Sequence, residues 1–178
     1  MTDASRKVEA TVTLGLLAAW AVHDAEEMLM VPRWTRSRVP ALRDRFPKVP
    51  EAVWRGLGSV DREEFATAVA AMAVVVGLTA GEGLRTGGRS VVYQTALDAF
   101  GLHGLVHLAQ AAVVRGYTPG SVTTPVVVLP FTVWARSRLR AAGVLRPVRA
   151  RDLVGALGLA AVATAGAHAL SRGLRRGR

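Results

Sequence analysis

From Ala68 to Ala80 this chain offers no polar helix face: the run reads Ala-Val-Ala-Ala-Met-Ala-Val-Val-Val-Gly-Leu-Thr-Ala. A helix in water normally keeps one polar side, so an all-round apolar helix must be surrounded by protein or by lipid. The run is not isolated. Five hydrophobic segments can be drawn, at 8–31, 65–84, 90–114, 121–135 and 153–170. All but the fourth have about 18–25 residues, which at ~1.5 Å per residue spans a ~30 Å hydrocarbon layer. The fourth is short and contains Pro125 and Pro130, features that kink or tilt a helix or let it enter without crossing. The expectation is an all-α protein: a polytopic membrane helical bundle of about five transmembrane helices, forming a single domain over residues 1–178.

Charge supports that reading through its placement. The 178 residues are 51% hydrophobic yet carry a net charge of +10. The two coexist because arginines crowd 33–62, 136–151 and 172–178 and leave the apolar segments almost bare, as in a membrane protein with basic loops. A nucleic-acid binder of this basicity would spread Arg and Lys along helix faces or between aromatics, so no nucleic-acid partner is expected. There are no cysteines, which excludes disulfides, thiolate metal sites and thiol catalysis. Arg6 and Lys7 precede the first segment, but a signal-peptide core would not carry its ionisable residues, so it reads as a retained helix. The expected location is the bacterial cytoplasmic membrane. The basic stretch 32–63, with Trp34, Phe46 and Trp54, is expected to lie along the membrane surface as the one long connection, after Pro32 ends the first segment.

Against this apolar background stands His23-Asp24-Ala25-Glu26-Glu27. At mid-bilayer such groups cost on the order of 2.5–3.5 kcal/mol each on insertion scales, so a segment that carries them pairs them or binds something with them. His23, Glu26 and Glu27 are spaced i, i+3, i+4 and share a helix face. His103 and His107, four apart, share another, and two His at that spacing are a common grip on a divalent ion. Five crossings bring His23, His103, His107 and His168 to the same half of the layer, with Glu64 opening the second segment on that side. The candidate metal ligands are therefore His23, Glu26, Glu27, His103 and His107, with Glu64 as a further candidate. The candidate catalytic groups are His23, Glu26, Glu27 and His107. Such a donor set suits Fe, Zn or Mn, in a mononuclear or compact dinuclear site; no organic cofactor is indicated. Bland readings exist for each: an intrahelical His–Glu hydrogen bond, interhelical glue at His103, His107 and His168, a dipole-favoured charge at Glu64. Asp24, about 100° around the helix from His23, supports a ligand or pairs with an Arg. Glu82 and Asp98 fall nearer the other face.

His23-Asp24-Ala25-Glu26-Glu27 resembles the signature of the HXXEE family, small bacterial and archaeal membrane proteins. His103 and His107 resemble a second family motif, a polar residue, often Asn, four before a His. Tyr117-Thr118-Pro119-Gly120 resembles the family's Tyr-x-Pro-Gly turn, followed as in the family by an apolar, Pro-containing segment. The resemblance covers about residues 10–140. It implies a helical membrane protein with a metal or catalytic site at His23, Glu26, Glu27 and His107, and it supplies no reaction.

Three function classes follow. The leading one is a membrane-embedded enzyme acting on a lipophilic small molecule through the His/Glu cluster. It is either metal-dependent or an acid–base catalyst of isomerase, cyclase or hydrolase type. The second is a proton- or metal-coupled small transporter, for which five helices would need a homo-oligomer to enclose a pathway. The third is a non-catalytic membrane assembly subunit. In all three, membrane lipid is a partner.

Overall fold

The computed structural model describes residues 3–59, 62–155 and the helical positions 157, 158, 162, 165, 166, 169 and 173. Among the described residues there is no strand. Five α-helices follow in order: α1 (Asp3–Arg45), α2 (Glu51–Gly58), α3 (Arg62–Arg85), α4 (Val91–Val114) and α5 (Leu129–Ala141), the last preceded by a π-helical turn, Thr124–Val128. The chain is helical again at 150–155. Two of these helices, α3 and α4, are long and apolar enough to cross a membrane. The expected crossings at 8–31 and 121–135 do not qualify for identifiable reasons: α1 carries Asp24, Glu26 and Glu27, and the 121–135 segment is divided between the π turn and a helix ending in Arg136, Arg138 and Arg140. Half of 153–170, including His168, lies outside the described residues.

The first segment does not stop at Pro32. α1 runs on through Pro32 and Pro40 to Arg45, a single helix of 43 residues. A proline inside a helix removes one donor and crowds the turn before it. Here the Thr35 hydroxyl donates to the Val31 carbonyl at 2.9 Å, an added bond in the turn that spans Pro32. Tertiary contacts then hold the extension in place. Val39 and Leu42 pack with Trp54 of α2 in a small second core that also takes in Trp34, Phe46 and Val114. The Arg45 guanidinium donates to the Val114 carbonyl at 2.8 Å, covering the open end of α4. The expected connection at 32–63 is thus largely helical, and its aromatics pack against each other and against α1 and α4.

The main core joins α1, α4 and α5. Val12, Leu16, Tyr93, Leu97, Val128 and Ala135 are almost fully buried in it. Close approach depends on small residues. A methyl at Gly101 or Gly104 would meet Thr132 or Val128 at 2.8 Å, so α4 presents glycine where α5 and its π turn cross it. The Tyr93 hydroxyl donates to the Val12 carbonyl at 2.7 Å and ties the start of α4 to α1. The π turn contains Pro125 and ends two residues before Pro130. Pro130 lacks the N–H that would close on Val126, and the widened turn accommodates it. Asp98 of α4 is paired with Arg136 of α5, and Glu82 with Arg85 at 2.8 Å, so both acids that the sequence set apart from the cluster have partners of their own.

Candidate metal centre

Helix spacing carries four ligand-type side chains to one point. His23 and Glu27, one turn apart on α1, face His103 and His107, one turn apart on α4. One ligand atom from each lies within 4.8 Å of all the others. Nε2 of His107 is 2.8 Å from Nε2 of His103 and 3.3 Å from a Glu27 carboxylate oxygen. The His23 ring stands edge-on to both partners, its centre 5.3 Å from that of His103 and 5.0 Å from that of His107. His23 and His107 are buried, Glu27 is half-buried and His103 opens onto a neighbouring cavity.

The tautomer of His23 follows from its surroundings. The Glu26 carboxylate receives four donors: the Tyr117 hydroxyl at 2.8 Å, the Gly120 amide at 3.1 Å, the Thr123 amide at 2.8 Å and the Thr123 hydroxyl at 2.7 Å. A carboxylate so surrounded acts as acceptor only, so the Thr123 proton points to Glu26 and the Thr123 oxygen is left to accept. Nδ1 of His23, 2.8 Å away, is therefore the N–H donor. That leaves Nε2 with its lone pair, and it is buried with no hydrogen-bond partner among the described residues. An unpaired buried acceptor costs about 1–3 kcal/mol, so its retention calls for an explanation. Metal-binding histidines characteristically donate their second ring nitrogen to an oxygen acceptor, which fixes the other for the ion. Here the Thr123–Glu26 pair plays that part.

The loop that supplies these donors is built for close approach. Gly120 sits at φ +81°, and a methyl there would fall 2.7 Å from Nδ1 of His107 and 2.9 Å from Cε1 of His23. The Trp34 indole donates to the Tyr117 carbonyl at 2.8 Å, so the extended part of α1 also braces the loop.

The residues fit an ion. Three imidazoles and a carboxylate are a borderline donor set of the kind Zn, Fe and Mn accept. Ligands ~2.1 Å from a common ion lie at most ~4.2 Å apart, so closing the group needs a shift of a few tenths of an ångström. His23, Glu27, His103 and His107 are brought together as the sequence suggested. Glu26 is not in the group, since both its oxygens are committed to the 117–123 loop. Glu64 is buried in the first turn of α3, outside the four. Asp24 lines the cavity beside Glu27. Nothing in the sequence marks Thr123, whose role rests on contact with a helix one hundred residues away.

The fold and this centre define a class: an all-helical protein with a largely buried His/Glu group between two parallel helices that each contribute two of the ligands. Residues 14–135 match the family model described as "Protein of unknown function with HXXEE motif". The chain belongs to this family. No curated protein and no solved structure matches it.

Proposed function

We propose that this protein is an integral-membrane enzyme, a bundle of about five crossings in the bacterial cytoplasmic membrane. It uses a divalent ion (Fe, Zn or Mn) held by His23, Glu27, His103 and His107 to act on a lipophilic small molecule. The observation that carries the reading is the free Nε2 of His23, fixed as a lone-pair donor by Thr123 and Glu26 against two further imidazoles and a carboxylate. Two features support a membrane setting and an apolar substrate. Val74, Leu78, Val113, Val126 and Val133 are 61–71% exposed on the outside of their helices, an apolar surface that suits lipid. Beside the centre lies a cavity of about 1190 Å³, walled by Trp20, Phe65, Met72, Val76 and Phe100, with Asp24, Glu27 and His103 as polar groups at the centre's side. That exceeds the roughly 300–1,000 Å³ of ordinary small-molecule sites.

The division of labour follows from the contacts. Glu26 and Thr123 orient His23. Gly120 lets the loop close over His23 and His107, excluding water from that side. His103 is the ligand on the cavity wall and meets whatever fills it. A bound divalent ion would supply Lewis-acid activation of water or, were it redox-active iron or manganese, electrons to dioxygen. The 2.8 Å contact between His103 and His107 favours a second reading, metal-free acid–base catalysis of isomerase or cyclase type, in which the pair passes a proton. Elemental analysis of detergent-purified protein separates the two. The metal reading expects close to one ion per chain and its loss in His103→Ala. Less than about 0.2 ion per chain after purification without chelator would leave acid–base chemistry standing instead.

A further inference from the structure

The cavity beside the centre has two unlike ends. It reaches from His103 and Glu27 along α4 to Val91 and Val92 and to Arg151 and Asp152. Val91 and His103 are twelve residues apart on one helix, so at ~1.5 Å per residue the two ends are ~18 Å apart. Between them the wall, among the described residues, is apolar except for Thr79 and Thr95.

The far end is basic, and its geometry is set by a specific device. A small polar recess lined by Arg146, Arg149, Asp98 and Asp152 shares Val91, Thr95 and Asp152 with the large cavity, so the two adjoin. Buried Gln94 of α4 fixes this segment. Its amide nitrogen donates to the carbonyls of Gly88 and Val144 at 2.7 and 2.9 Å, and its oxygen accepts from the Arg146 amide at 2.8 Å. Three arginines, 146, 149 and 151, thus stand at the N-terminal end of α4, itself favourable to negative charge. Against them stand Asp152, 3.6 Å from Arg151, and Asp98, which Arg136 already neutralises. The balance at this end is positive.

The geometry points to a single-chain anionic amphiphile as the occupant: its carboxylate or phosphate head at Arg146, Arg149 and Arg151, its hydrocarbon running between α3 and α4 to the His/Glu group. The reacting carbons would lie ~18 Å from the head, deep in the chain. Assigning this ligand as the substrate rests on the proposed enzymatic reading, whereas its binding does not.

The test uses the full chain, delipidated and returned to nanodiscs of neutral lipid, with cis-parinaric acid and its methyl ester as fluorescent probes. The acid binds saturably, is displaced by oleate or oleyl phosphate, and binds about tenfold more tightly than the ester, as expected for a charge-assisted head contact. The double substitution of the exposed Arg149→Ala and Arg151→Ala removes that preference without weakening the ester. Ala96→Trp, which fills the cavity wall, blocks both probes, and Ala99→Trp provides a second obstruction should the first fail to fold. Equal binding of acid and ester, or acid binding unchanged in the double variant, overturns the proposal. His23→Ala should lose metal and keep the probe, so failure of the metal reading and failure of this one register separately.

Discussion

Thr123 performs two tasks with one oxygen: it gives its proton to Glu26 and takes one from His23. Thr123→Val keeps the shape and the backbone bond to Glu26 but ends the relay, so the imidazole loses its fixed tautomer. Metal affinity should fall about 10–100-fold, the usual effect of losing such an outer partner. Thr123→Ser should restore it, and competition with a chromophoric chelator measures both. Wild-type affinity in Thr123→Val would mean that His23 is held some other way. The same residue marks the limit of what spacing can say. Positions i, i+3 and i+4 put His23, Glu26 and Glu27 on one face, yet Glu26 and Glu27 are still ~100° apart around the axis. One turns to α4 and the other to the loop, and which goes where depends on partners outside the helix. The pairing of His23 with His103 and His107 was legible because polar residues within apolar segments seek one another. The sorting of the two glutamates was not.

Element behaviour shows the same division. Pro32 reads as a helix end, yet α1 passes through it because a single lost donor is a local cost, while the packing of Val39, Leu42 and Trp54 and the Trp34 and Arg45 bonds are gains that sequence proximity does not reveal. The Tyr117–Gly120 turn was readable as a turn, and its meaning lies in what it touches. Gly120→Ala places a methyl against two imidazoles and puts an L-residue at φ +81°. The backbone alone should cost about 1–2 kcal/mol, and displacement of His107 and His23 should remove metal as well. Thermal unfolding with and without added ion checks this: the variant should melt lower in both and lose the stabilisation that the ion gives the wild type. A variant that melts as the wild type does would show that the loop can withdraw from the histidines at no cost.

For the whole molecule the deciding quantity is what surrounds the outer face of α3. The absence of a polar side from Ala68 to Ala80 persists in the folded chain, where Val74 is 61% and Leu78 71% exposed. In water, exchanging so exposed a valine for another residue is usually worth less than about 0.5 kcal/mol either way. Facing hydrocarbon, an aspartate at the helix centre costs about 2.5–3.5 kcal/mol. Val74→Asp therefore separates the two environments without touching the centre, the cavity head or the core. If lipid covers α3, the variant should insert poorly, with a large fall in the detergent-extractable, folded fraction of the membrane pellet. Val74→Ser should fall between it and wild type. Normal folding of Val74→Asp as a water-soluble protein would instead assign the exposed valines of α3 to a protein partner, and the apolar cavity would then need another route for its ligand.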